Sequence, residues 1–411
     1  MKNKLQFLIV LSPVFCLIFL GMENTVALTI AITFILYLLF TRNGTPNNIK
    51  WLLIVGFSLR AIVAFIDQNL GLFPYRWDLY FPISKQIFEN IKLGYPLLYG
   101  VNESINVLSY SIFTSLIFLL SGDYQLVIRI VNCFLGVLAI DRAYRVSIAV
   151  FDNKRLALLP ALFITFSPSF VIFTSLDMRD AMIFFFFTDF IFRFYQMLEL
   201  KKNAILLVLI DLIFLAILRI QNVFLITAIM LSYILIWGYL RINRKLKCLY
   251  CIASTSVVVI MFIYFKNIGL FDYLFRYISH DLITRSAGGS VYLAGRYYQS
   301  WADVLKWLPI RFLHFTFGPF LWSLNNSFMI IAFFESFILL IFFGGVILRW
   351  KDFNLKANSY LIFLLLTLAL GLVGNAIVDS NYGTAIRHRM NYTFLLVMLG
   401  SPFISSFKVK F

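Results

Sequence analysis

Apolar runs long enough to cross a hydrocarbon core of about 30 Å recur along this chain from end to end, separated by short breaks rich in Lys and Arg. Short cytoplasmic loops carry excess cations, so the breaks orient the runs. The basic clusters are Lys2/Lys4, Arg42/Lys50, Arg142/Arg145/Lys154/Arg155, Lys201/Lys202, Arg241/Arg244/Lys245/Lys247, Arg349/Lys351/Lys356 and Lys408/Lys410. If all face the cytoplasm, the chain crosses an even number of times between neighbouring clusters. Two intervals hold three apolar segments, so one segment in each does not span. These are 107–120, which is short, and 307–322, which carries Pro309, Arg311, His314 and Pro319 and reads as broken. Both are expected to be interfacial or re-entrant helices.

The pattern thus predicts an all-α integral membrane protein of about twelve transmembrane helices in one polytopic domain, residues 1–411. The spans fall near 5–21, 25–41, 51–66, 124–141, 155–174, 181–199, 203–219, 222–240, 248–268, 327–348, 358–377 and 391–407, with both termini cytoplasmic. Residues 1–49 hold two extra N-terminal spans. The first lacks a small-residue cleavage site and reads as uncleaved. Two large outer loops follow, 67–123 and 269–326, with two shorter outer turns at 175–180 and 378–390.

Composition agrees: of 411 residues, 61% are hydrophobic, 18% aromatic and 13% charged, against roughly 25% charged in an average soluble domain. The net charge of +16 is accounted for by topology, so no nucleic-acid partner is expected and membrane lipids are. Cys248 and Cys251 form a CxxC without a second pair or a histidine cluster, and read as small packing residues; Cys16 and Cys133 lie inside spans. No metal or cofactor site is predicted.

The candidate chemistry collects on the outer side. In the first loop, "YRWDLYFP" places Asp78 among Arg76, Trp77 and Tyr80. Aromatic rings can stack on apolar sugar faces while the carboxylate accepts a hydroxyl proton; an interfacial aromatic belt is the alternative. "TSLDMRDAM" places Asp177, Arg179 and Asp180 between two spans. Arg179 either pairs within this turn or holds a phosphate through its planar fork. In "DSNYGTAIRHRMNY", Gly383 is expected to turn a loop, and Arg387, His388 and Arg389 offer a counter-charge for a phosphate or diphosphate headgroup, or for anionic lipid. The second large loop adds Arg276, His280, Asp281, Arg285, Arg296 and Tyr298. "LPIRFLHFTFGPFLW" then sets Arg311 and His314 on one helical face, and Gly288–Gly289 suggests a segment able to close over substrate. Charges within spans are few: Arg60, Arg129, Asp189, Arg193 and Asp211, with Asp189 and Arg193 spaced to satisfy each other. An ion-coupled transporter usually keeps more ionisable groups near the midplane.

The order "YRWDLYFP", "LLSGDYQLVIRIVN", a basic turn, "SPSFVIFTSLDMRDAM" and the closing "NYGTAIRHRMNY" resembles the polytopic GT-C glycosyltransferases over about residues 50–407. That superfamily includes relatives of the lipid A aminoarabinose transferase, protein O-mannosyltransferases and enzymes of surface-polysaccharide clusters. The resemblance implies an inverting glycosyltransferase at the outer face of a bacterial inner membrane, taking a sugar from a polyprenyl-phosphate or polyprenyl-diphosphate donor to a glycan or lipid-linked acceptor. It implies that Asp78 is the general base and that Arg387, Arg389 and Arg179 stabilise the departing phosphate. Where relatives carry an Asp-Glu pair this chain has Asp78-Leu79, so no metal dependence is carried over. The alternatives are an O-antigen or capsule repeat-unit polymerase, in which arginine would be the essential group, and a flippase of lipid-linked oligosaccharide.

Overall fold

The computed structural model describes residues 22–40, 46–73, 80–201, 203–286, 288–353, 355 and 358–406. The span expected at 5–21 and the segment holding Arg76, Trp77 and Asp78 lie outside them. Among the described residues the protein is all-helical, and six helices are long and apolar enough to cross a membrane by length and composition: Asn47–Leu70, Asp180–Leu198, Gln221–Arg241, Lys247–Asn267, Ser327–Leu348 and Ser359–Val378. The molecule is a helical membrane protein, and its chain divides into two compact units, 1–148 with 160–220, and 149–159 with 221–411.

In the first unit, α1 (Met22–Phe40) packs on α2 (Asn47–Leu70), and α3 (Tyr80–Leu93) pairs with α4 (Ile105–Ser121). Residues 67–123, expected as the first outer loop, therefore carry two helices where the sequence predicted one. Next come α5 (Gln125–Phe151) and α6 (Lys154–Phe166), of which residues 149–151 and 154–159 fall in the second unit, then the single-turn α7 (Pro168–Phe173), α8 (Asp180–Leu198) and α9 (Ala204–Leu218). Helix α5 is buried along most of its length, and α9 packs on α8 and α4.

The single span expected at 155–174 is interrupted at Ser167. Pro168 has no N–H to donate to the Ile164 carbonyl four residues back, so α6 ends inside apolar surroundings with orphan carbonyls. Fully buried Arg60 of α2 supplies the donors: Nη2 to the Ile164 carbonyl (2.7 Å), Nη1 to those of Gly56 (3.0 Å) and Thr165 (3.5 Å), and Nε to Thr174 Oγ1 (2.8 Å). A cation at a helix C-terminus is also favoured by the peptide dipoles. Three of the other in-span charges are paired too, while Asp211 Oδ2 is buried with no hydrogen-bond partner among the described residues. Arg129 meets Asp67 of the last turn of α2 (2.8 Å), Arg193 meets Asp189 (3.4 Å) as its spacing predicted, and Arg142 meets Asp189 as well.

The second unit comprises α10 (Gln221–Arg241), α11 (Lys247–Asn267), α12 (Leu270–Arg285), α13 (Trp301–Phe317), α14 (Ser327–Leu348), α15 (Ser359–Val378) and α16 (Tyr382–Ser406). Helix α15 is the hub, touching α10, α12, α13 and α16. Helices α14 and α16 pack closely because Gly345 and Gly400 face one another's helices; a Cβ at Gly400 would collide with the Phe342 backbone. Asparagines start three of these helices. Asn326 Oδ1 accepts from Met329 N (2.9 Å), Asn358 Oδ1 from Leu361 N (3.0 Å) and Asn381 Oδ1 from Gly383 N (2.8 Å).

Three sequence expectations are corrected here. The segment 307–322 is not broken at Pro309: α13 runs through it, started by a Ser300/Asp303 capping box, and ends at Gly318–Pro319. The outer turn expected at 378–390 shrinks to residues 379–381, because Asn381 caps α16; Gly383 is helical, and Arg387, His388 and Arg389 project from a helix. Cys248 and Cys251 are exposed on α11, not packed.

If Arg60 replaces the donor that Pro168 removes, Arg60→Met should destabilise the detergent-solubilised protein by about 2–4 kcal/mol, the cost of orphaning one or two buried carbonyls. Pro168→Ala should recover part of that loss in a double-mutant cycle. Strictly additive unfolding shifts would contradict the assignment.

Candidate functional site

Helix α15 ends at Val378 and α16 begins at Tyr382, and the turn between them collects the polar groups of the second unit. Asp379 is fully buried. Its Oδ1 accepts from Arg285 Nη1 of α12 (3.0 Å), and its Oδ2 meets His388 Nδ1 of α16 (2.7 Å). Burial alone would raise this carboxyl's pKa, but His388 and Arg285 outweigh it and hold the group well below the usual carboxylate range. Arg285 Nη2 also donates to Asp281 Oδ2 (2.8 Å). The contact through Nδ1 fixes the orientation of the His388 ring.

The end of α15 is closed by side chains from the loop before α13. Tyr298 OH donates to the Ile377 carbonyl (2.8 Å) and Tyr292 OH to that of Asp379 (2.8 Å). The loop backbone pairs with the turn as well: Tyr292 N donates to the Ser380 carbonyl (2.8 Å) and Tyr382 N to that of Ser290 (3.0 Å). Arg311 of α13 is buried beneath them. It donates to the Arg296 carbonyl, reaches the Asp379 carbonyl (3.4 Å) and lies over the Tyr298 ring (5.1 Å).

One turn along α13, half-buried His314 stacks on Tyr292 (centroids 5.1 Å apart, planes at 12°), and its Nδ1 is 2.7 Å from Tyr382 OH. Burial and the neighbouring Arg311 push His314 below its ordinary pKa, which keeps the ring neutral and able to take a proton near pH 7. Arg296 is exposed, with its guanidinium over Trp307 (4.9 Å).

Arg389 serves the end of α13. Pro319 denies a donor to the Phe315 carbonyl, and Arg389 Nη1 donates to the carbonyls of Phe315 (3.2 Å), Thr316 (3.0 Å) and Gly318 (2.6 Å), with Nη2 on Ser336 Oγ (2.8 Å). This is the Arg60 arrangement repeated.

Of the residues singled out by sequence, Arg296, Arg311, His314, His388 and Arg389 thus gather around one turn, with half-buried Arg387 beside His388 on α16. Arg285, Tyr292, Asp379 and Tyr382 complete the cluster. Of these four the sequence singles out Arg285 alone, although Asp379 is legible as a lone acid ending an apolar run nine residues before a histidine.

The first unit holds the others. Tyr80 is buried edge-on against Tyr110 (5.0 Å, 75°). Tyr110 OH donates to Asp177 Oδ1 (3.0 Å), while Asn132 Nδ2 donates to Tyr110 OH (2.8 Å) and to the carbonyls of Leu176 (2.7 Å) and Met178 (3.0 Å), fixing the 175–179 turn. Arg179 donates to the carbonyls of Asn106 (2.7 Å) and Leu218 (3.0 Å), the latter the last residue of α9, and Asp180 meets Arg219 (3.4 Å).

Comparison of the chain with protein-family models, curated proteins and solved structures finds no match in any of the three. The class is therefore set by the fold: a polytopic helical membrane protein whose second unit builds a buried Asp–His–Arg cluster beside a neutral histidine.

Two acid limbs follow. Asp379's folded pKa lies below the unfolded value of about 3.9, so its contribution is present above about pH 4 and lost as pH falls further. Asp379→Asn should cost about 3 kcal/mol near pH 7 by breaking a buried pair and should flatten the stability profile below pH 4. His314's folded pKa lies below about 6.5, so stability falls as pH drops below that value. His314→Gln should abolish this slope, read from thermal unfolding across pH 3–8; unchanged profiles would contradict both assignments.

Proposed function

We propose that the protein is an inverting membrane glycosyltransferase of cell-surface polysaccharide or glycolipid assembly. It uses a polyprenyl-phosphate- or polyprenyl-diphosphate-linked donor at the outer face of a bacterial inner membrane, within a fold of about twelve spans. The observation that carries this reading is the second-unit cluster, where an exposed cation, Arg296, and a neutral histidine, His314, stand on a frame of buried ion pairs.

The acceptor hydroxyl loses its proton to a base as its oxygen attacks the anomeric carbon, and the bond from that carbon to the phosphate oxygen breaks on the opposite side. Asp78 is the base that the resemblance to GT-C enzymes supports; His314 is the group whose surroundings in the second unit suit the same task. Arg296 and Arg387 stabilise the departing phosphate. Arg311 and Arg389, each of which donates to backbone carbonyls, hold those groups in place.

A second reading, the repeat-unit polymerase, is favoured by the concentration of arginine and histidine at this turn. The two readings separate in the surface glycan of cells carrying wild type, Asp78→Ala, Arg296→Ala or His314→Ala. A full-length ladder whose repeat units lack one sugar is the expected result, with transfer by Asp78→Ala reduced about 100-fold or more. A single capped unit with the ladder lost would mean a polymerase. Wild-type glycan from all three variants would refute both.

A further inference from the structure

We propose that the second unit binds one anionic phospholipid of the cytoplasmic leaflet in a groove that runs along α15 and opens at the start of that helix, away from Asp379. The groove has a volume of about 800 Å³ and is lined by apolar side chains of α10, α13, α14 and α15, among them Phe312, Ile347, Trp350, Ile362, Ala369 and Val373. That volume is within the range of ligand sites, roughly 300–1,000 Å³.

The length of the groove identifies the occupant. Along α15 it runs from Ile362 to Val373, about 16 Å at ~1.5 Å per residue. This is close to half of a hydrocarbon core about 30 Å thick, the depth of a single leaflet. Phe312 of α13 lines it with Leu372 and Val373, as do Trp350 and Leu355 of the segment that leads into α15. A tryptophan in that segment suits the level of the headgroups. Arg349 and Lys351 flank Trp350; Lys351 is exposed, and Arg349 makes an exposed pair with Asp352 (2.9 Å). Such a surface pair contributes little and can be shared with a phosphate. An apolar slot one leaflet deep, with two cations at its mouth, matches a phospholipid acyl chain with an anionic headgroup. The charge pattern that orients the spans puts this mouth on the cytoplasmic side. A bound chain would brace Phe312, which precedes His314 by two residues on α13.

The test places the whole protein in nanodiscs of equal parts phosphatidylglycerol and phosphatidylcholine and identifies the lipid retained on release by native mass spectrometry. Wild type is expected to keep one phosphatidylglycerol in preference to phosphatidylcholine. Ala369→Trp, which fills the slot from its exposed side, should keep none. The surface variant Arg349→Gln/Lys351→Gln leaves the slot intact and should keep lipid with its preference reduced about fivefold per cation removed. Retention of phosphatidylglycerol by Ala369→Trp at the wild-type level, no retained lipid in wild type, or equal retention of the two lipids by wild type would each overturn the proposal. None of these readouts depends on glycosyl transfer.

Discussion

A helix that stops inside an apolar medium leaves carbonyls with neither water nor a next turn to bond them, and that constraint organises this protein. Each unsatisfied group would cost several kcal/mol in lipid. The chain meets the demand with buried arginines. Arg60 closes α6 where Pro168 interrupts it, Arg389 closes α13 before Pro319, and Arg179 reaches the last carbonyl of α9. A guanidinium suits this work because its several N–H groups diverge toward more than one acceptor and its charge complements the helix dipole. Arginines that would be costly as isolated charges thereby become the means by which helices end inside the protein.

The candidate site is a consequence of the same constraint. For α15 to end at Val378, its carbonyls must be met, and Tyr292 and Tyr298 are drawn in from the loop before α13 to meet them. That loop brings Arg296, and α13 brings His314 onto the Tyr292 ring. Asp379, buried by the closure, is held ionised by Arg285 and His388. The frame is thus made of groups whose hydrogen bonds are used internally. Arg296 and His314, less buried, are left at its edge.

Much of this was legible in the order of residues, and the failures have physical causes. The apolar runs located the six helices long enough to cross a membrane to within a few residues, because period and length survive any tertiary arrangement, whereas the helices expected at 124–141 and 391–407 run well past those bounds. Asn381 was legible as a helix cap and was passed over in favour of Gly383, which stretched a three-residue turn into a loop. Pro309 read as a break, yet a capping box and a buried Arg311 carry α13 through it, whereas Pro168 and Pro319 do end helices. What separates these prolines is the partner waiting for the freed carbonyl, 104 residues away in sequence for Arg60, and no local pattern reveals it. Asp379 escaped for the same reason, since its meaning depends on Arg285, which reaches it from another helix.

The most direct test of this account compares thermal unfolding of purified Arg389→Met and Arg296→Met proteins in one detergent. If arginine closes helix ends, Arg389→Met loses about 2–4 kcal/mol through exposed carbonyl demand, while Arg296→Met, which removes an exposed side chain, stays within about 0.5 kcal/mol of wild type. Equal losses, or a stable Arg389→Met protein, would contradict it.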